Sequence, residues 1–271
     1  MKTKILVQAV VGITAAFAAS GELAVASVGV ASSKEWTLSA RGGWTTDTAF
    51  RGVSGKLRGP LFTFLTKRPF AEKTNGRIGR YLMGFWPAER RSIRTVAYQN
   101  PEGFYEVTPE NQDTRVSEHF RLRDFITHDQ ASTWPKYVAL REELVDKLEL
   151  VIEQLENHGV VVRRMTVMSG FRTPRYNGPG GDGRSGLSRH MYGDAADVFV
   201  DNDGDGRMDD LNHDGRVDYR DARVILDAAE RVERLHPEFT GGVGVYRATT
   251  THGPFAHVDV RGWRARWGLS G

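Results

Sequence analysis

The chain has 271 residues, 39% of them hydrophobic, with 37 Lys/Arg against 34 Asp/Glu and a formal net charge of +3. These values fit one good-sized domain with attachments, or two small domains, and exclude a disordered chain. With no cysteine, a disulfide framework and a lipid-modified cysteine are excluded, so an exported fold must rest on its core or on bound metals.

The first residues read as a secretory leader. Lys2 and Lys4 precede an uncharged apolar run from Ile5 to Ala18, and small-residue cleavage patterns follow at Ala16-Phe17-Ala18 and Ala24-Val25-Ala26. The run is shorter than the ~20 residues a spanning helix needs. A signal peptide is therefore expected over 1–26, with export to the periplasm or cell-wall space and no membrane span after cleavage. Nucleic acid is not expected as a partner of an exported chain.

Residues 27–115 read as a basic, irregular or mostly β prelude. From Lys34 to Arg94 there are thirteen Lys/Arg against four Asp/Glu, a charge suited to a solvated surface or to an anionic polymer. Short strands are expected at Leu61–Leu65, Arg80–Phe85 and Phe104–Val107, between prolines 60, 69, 87 and 101.

From Val116 the pattern sharpens. Tyr137, Leu140, Leu144, Leu148, Val151 and Leu155 recur at helical spacing, so a helix is expected to open at Pro135 and close at Asn157-His158-Gly159. A strand is expected over Val160–Met168, a short apolar run within Asp194–Val200, a second helix over Asp221–His236, and strands at Gly242–Tyr246 and Phe255–Val260. Helices flanking a small antiparallel sheet predict an α+β domain over 116–271.

Two segments carry metal-binding chemistry. The first runs Ser188-Arg189-His190-Met191-Tyr192-Gly193-Asp194-Ala195-Ala196-Asp197, and the second is Phe255-Ala256-His257-Val258-Asp259. Two imidazoles and a carboxylate would give zinc three protein ligands and leave one position open. Spacing alone does not single these residues out; their surroundings do.

Ser188, His190, Gly193, Ala195 and Asp197 form a Ser-x-His-x-x-Gly-x-Ala-x-Asp pattern that resembles the signature of zinc D-Ala-D-Ala carboxypeptidases and murein endopeptidases. These belong with the lysostaphin-type, D-Ala-D-Ala metallopeptidase and hedgehog-like fold. Three further segments resemble the same family: Ser169-Gly170-Phe171-Arg172-Thr173, Val116-Ser117-Glu118-His119-Phe120 and Gly241-Gly242-Val243-Gly244. The match covers roughly 115–267, and the Phe-x-His-x-Asp ending is closest to the murein endopeptidase type.

The resemblance implies one catalytic zinc held by His190, Asp197 and His257, with Arg172 binding the substrate carbonyl or oxyanion. It implies hydrolysis of peptide bonds in peptidoglycan stems or cross-links, of the DD-/LD-endopeptidase or D-Ala-D-Ala carboxypeptidase type. A carboxypeptidase would also need a positive group for the terminal carboxylate, for which Arg175 and Arg184 are the candidates. The chain departs from the family where relatives carry a catalytic Glu or His before the last ligand, because Pro254 and Phe255 stand there. Asp259 is then either a general base or the carboxylate that orients His257, with His252 a weaker candidate for the base. That departure also keeps open a non-catalytic peptidoglycan-binding module. A calcium-dependent adhesion protein would leave the four motifs without a role.

An acidic insert, 201–221, follows Asp197. Asp210, Asn212, Asp214, the Arg216 carbonyl, Asp218 and Asp221 fit a twelve-residue calcium loop, with Gly215 at the turn. Asp201, Asp203, Asp205 and Asp209 begin an overlapping second copy. One or two structural calcium ions are expected, with the 210–221 run the better candidate. The sequence leaves oligomeric state undetermined.

Overall fold

The computed structural model describes residues 65–179 and 184–268, together with four short strands nearer the N-terminus. Those strands form two antiparallel pairs, Thr3–Ile5 with Trp36–Leu38 and Thr14–Ala19 with Glu22–Ser27. The rest of the expected leader and of the prelude up to residue 64, including most of Leu61–Leu65, lies outside the described residues. The chain divides into two units, Met1–Lys67 and Arg68–Gly271. The second half of the basic prelude is thus built into the larger unit.

In that unit, strand β1 (Gly103–Val107) pairs antiparallel with β2 (Lys136–Val138). Helix α1 spans Glu142–Glu156. Strand β3 (Met165–Ser169), β4 (Ala195–Val200), helix α2 (Tyr219–Leu235), β5 (Gly242–Tyr246), β6 (Phe255–Asp259) and β7 (Ala265–Trp267) follow. The main sheet has five strands in the order β3-β4-β6-β5-β7. Its pairs are antiparallel except β5 with β7, which is parallel. The architecture is mixed α+β, as expected. Among the described residues no helix is long and apolar enough to cross a membrane.

Helix α2 lies against β5 and β6, and α1 packs along α2. Leu144, Leu148, Val151, Ile152 and Leu155 form the buried stripe of α1; Ala222, Ile225, Ala229 and Val232 form that of α2. Ala196, Val198, Val243, Val245, Ala256 and Val258 are buried on the sheet. Each large aliphatic side chain here contributes roughly 1.5–3 kcal/mol by leaving water. One buried cation crosses this layer. Lys147 of α1 donates to Glu233 Oε1 at 2.7 Å and to the Asp259 carbonyl at 2.8 Å, tying both helices to the end of β6.

Of the expected strand Arg80–Phe85 only Tyr81–Leu82 forms, and the starts of α1 and β3 differ most from expectation. Helix α1 begins at Glu142, because Lys136–Val138 hydrogen-bond across to Tyr105–Val107 as a strand; Tyr137 serves the sheet, not the helix face. Strand β3 begins only at Met165, after the exposed Arg163 and Arg164. At the other end of α1, Gly159 adopts φ +83° and the Val160 amide donates to Leu155 O, closing the helix as the Asn-His-Gly signal predicts.

Candidate metal centre

Alternation along a strand places every second residue on one face. The register then builds a single cross-strand row: Ser169 beside Asp197, Asp197 beside His257, His257 beside Gly244, Gly244 beside Trp267. Asp197 and His257 therefore become neighbours although sixty residues apart. His190 reaches them from the turn Arg189–Tyr192, just before β4.

That turn is held from several sides. Gly193 ends it at φ +70°, where a Cβ would stand 2.3 Å from Ala139 O, so only glycine fits. The Trp86 indole N–H donates to Met191 O at 2.8 Å. Trp86 itself packs on Phe104, which packs on Phe171, with ring centroids 5.4 and 6.3 Å apart. Arg189 pairs with the buried Asp194 and donates to Ala97 O. Part of the segment read as a prelude thus buttresses the loop that presents His190.

His190 Nε2, Asp197 Oδ1 and His257 Nδ1 converge. Their separations are 3.2 Å (His190 to Asp197), 3.2 Å (His190 to His257) and 2.9 Å (His257 to Asp197). Bonds of 2.0–2.1 Å around a tetrahedral zinc put ligand atoms roughly 3.3 Å apart, so the triangle has the size of such a site. All three side chains are buried, and together they could hold a metal ion.

The outer nitrogens are engaged as a metal site requires. His190 Nδ1 is 2.7 Å from Gly170 O, so it carries a proton to donate and leaves Nε2 for a cation. Gly170 is itself confined, since a Cβ would stand 2.6 Å from Phe125 Cα. His257 Nε2 is 3.0 Å from Asp259 Oδ2, which fixes the ring with Nδ1 facing the cluster. Asp259 is fully buried and also accepts from the amides of Gly242 (2.7 Å) and Arg261 (3.1 Å) and from the Arg261 guanidinium. Both of its oxygens are engaged, Oδ2 by His257 and Arg261 and Oδ1 by the amides of Gly242 and Arg261.

The electrostatics follow from the same contacts. Burial pushes His190 below its ordinary value, outweighing its pairing with Asp197. Burial opposes the charge on His257, but its hydrogen bonds to Asp197 and Asp259 prevail and lift it to about 9. Asp197 is held well below the carboxylate range by the two imidazoles, despite its burial. Asp259 is likewise depressed by His257 and Arg261, against the desolvation cost. His190, Asp197 and His257 form a compact, buried charge cluster that could hold a metal ion.

Arg172 stands at one end of the row. Its Nε donates to Ser169 Oγ at 2.8 Å and its Nη2 to Asp197 Oδ2 at 2.5 Å, leaving the guanidinium beside the ligand cluster. Arg175 is exposed, and Arg184 donates to Tyr176 O at 2.9 Å while lying over that ring. His252 packs edge-on against Phe255, its Nδ1 turned to Gly253 O. His119 bonds to Glu149 of α1 through its ring at 2.6 Å, so that motif fastens the loop to the helix.

In the acidic insert, among the described residues, the carboxylates gathered closely enough to hold a cation are Asp201, Asp203 and Asp209 of the first run. Asp205 is not among them; it accepts the Arg207 amide. Both runs also accept from backbone amides: Asp201 from Gly204, Asp203 from Asp205 and Asp209 from Asn202, and in the second run Asp221 from Leu211 and Asp218 and Asp210 from Gly215, while Asp214 pairs with Arg220. Asn212 accepts the Asp214 amide and Asp218 caps α2 through the Arg220 amide. The capping box that starts α2 thus uses carboxylates that a calcium-loop pattern also predicts.

Tyr246 and Trp267 were not legible as site residues. Trp267 is 5.1 Å from His257 between ring centroids, and its Nε1 donates to Tyr246 Oη at 2.9 Å. Only the strand register, which the sequence does not give, brings them to the cluster. No family model matches the chain, and comparison with curated proteins and with solved structures finds no match either.

Proposed function

We propose that the chain is a zinc-dependent peptidase that hydrolyses peptide bonds in peptidoglycan stems or cross-links after export. The observation that carries the reading is the convergence of three buried ligand atoms, 2.9–3.2 Å apart, with each histidine's other nitrogen bonded to an acceptor. Zinc, bound by His190, Asp197 and His257, would supply a Lewis acid that polarises a carbonyl and acidifies water.

The protein's own groups have separate tasks in this reading. Gly170 O and Asp259 fix the two imidazoles and their tautomers. Arg172, held by Ser169 and Asp197, offers a fixed positive charge to the carbonyl oxygen as negative charge develops there. Asp259 is assigned as an orienting carboxylate because its oxygens already serve His257, Gly242 and Arg261. The four-motif resemblance supports a peptidoglycan peptide as substrate.

The acidic insert is proposed to bind one structural calcium through Asp201, Asp203 and Asp209. Asp201 is fully buried, and three carboxylates so close repel one another without a cation.

The test is incubation of purified sacculi with zinc-loaded protein, followed by chromatography of soluble muropeptides. Release by wild type and loss in His190→Ala supports the peptidase. Retained sacculus binding with no release would instead support the non-catalytic module suggested by Pro254 and Phe255.

A further inference from the structure

Gly244 leaves a gap in the row beside His257, and Trp267 fills it. A Cβ at Gly244 would stand 2.1 Å from the indole Cε2, so the ring lies directly over the bare backbone. From there it flanks His257 and donates its N–H to the Tyr246 hydroxyl. Tyr246 lies two residues beyond Gly244 on the same strand face. Its ring is stacked flat on Phe255, with centroids 4.5 Å apart and planes 8° apart. The phenol is therefore held by two contacts.

Its hydroxyl is only half used. The oxygen accepts from Trp267, and among the described residues no group accepts its proton. Burial raises its pKa above the ordinary tyrosine value, so it stays a neutral donor. Tyr246 pairs across the sheet with Phe255, as Gly244 does with His257, so it stands on the ligand face one row beyond His257. Arg172 serves the cluster from the Ser169 end of the row; Tyr246 and Trp267 stand at the other end.

We propose that Tyr246 is a catalytic hydrogen-bond donor to the scissile carbonyl oxygen, with Trp267 as the residue that positions it. The proposal rests on the peptidase reading above. The proton is not transferred; the hydrogen bond strengthens as charge builds on that oxygen, and reaction is favoured over binding.

The experiment compares zinc-loaded wild type, Tyr246→Phe and Trp267→Phe. The probe is a phosphinic dipeptide whose tetrahedral PO2 group replaces the amide, with binding followed by calorimetry. Turnover of a stem peptide is measured in parallel, and zinc content and melting temperature are checked for each variant. Tyr246→Phe should keep its zinc and its fold while losing roughly 10²-fold in phosphinate affinity and in kcat, with KM little changed. Trp267→Phe should show a smaller loss in the same two quantities. A Tyr246→Phe protein that matches wild type in both overturns the proposal and leaves the peptidase reading standing. So does one that loses zinc, since the role is then structural. A wild type that binds zinc but neither binds the probe nor cleaves the peptide overturns both.

Discussion

Asp259→Asn is the most informative single change at the metal centre. The wild-type carboxylate accepts hydrogen bonds from His257 Nε2 at 3.0 Å and from the Gly242 amide at 2.7 Å, and pairs with Arg261. An asparagine of the same shape keeps one oxygen but turns an N–H toward one of these donors. The Arg261 side chain, only 17% exposed, loses its counter-charge. Leaving one buried donor unsatisfied costs ~1–3 kcal/mol, more where a charge is involved. Stability of the metal-free protein should fall by about that amount. The zinc site should weaken separately, by roughly 10–100-fold, as when other carboxylates that orient a ligand histidine are removed. Zinc affinity is read by competition with a chromophoric chelator, and stability by urea unfolding in EDTA. A variant that holds zinc as tightly as wild type would refute the orienting role. Intact affinity with lost turnover would return Asp259 to the position of general base.

Other consequences follow from the same geometry. In protein stripped of metal, His257 should titrate at about 9, raised against its burial from its ordinary 6.5 by its hydrogen bonds to Asp197 and Asp259. The stability it contributes is complete below pH 6.5 and is lost as pH rises through 9, with a slope of up to ~1.4 kcal/mol per pH unit. Zinc requires the neutral ring, so its affinity should rise over the same range, and binding near pH 7 should release a proton detectable as buffer-dependent calorimetric heat; no proton release would contradict the assigned state. Asp201→Asn should abolish any calcium-dependent rise in melting temperature, whereas Asp214→Asn should keep most of it; the reverse order would favour the 210–221 run. Trp86→Ala should cost roughly 3–5 kcal/mol and weaken zinc binding, because Met191 O beside His190 loses its donor; unchanged affinity would show that the turn holds itself.

The sequence picked out the three residues that could hold a metal ion more readily than the fold around them. His190 and Asp197 sit in one short run and His257 in another with the same flavour, so local motifs identify them. The row that joins them depends on which strands pair, a long-range property with no local trace. For the same reason Trp267 was passed over: it is one of two tryptophans, with Trp263, in an unpatterned stretch until parallel pairing with β5 sets it over Gly244. Tyr137 and Leu140 fit a helical period, but extended pairing with β1 claimed the stretch before α1. In the acidic insert the pattern was read correctly as oxygen-rich, yet helix capping at Asp218 and Asp221 uses the same residue types. Composition cannot separate a carboxylate that caps a helix from one that awaits a cation. The basic stretch before residue 115 hid a structural task, because Trp86 and Phe104 are spaced without helical or strand period.

The most direct measurement is zinc stoichiometry by metal analysis after gel filtration, for wild type and for His190→Ala, Asp197→Ala and His257→Ala. The account predicts one tightly bound zinc in the wild type and its loss in each variant, with every variant still folded by circular dichroism. A full zinc equivalent retained by any two of the three variants would contradict it.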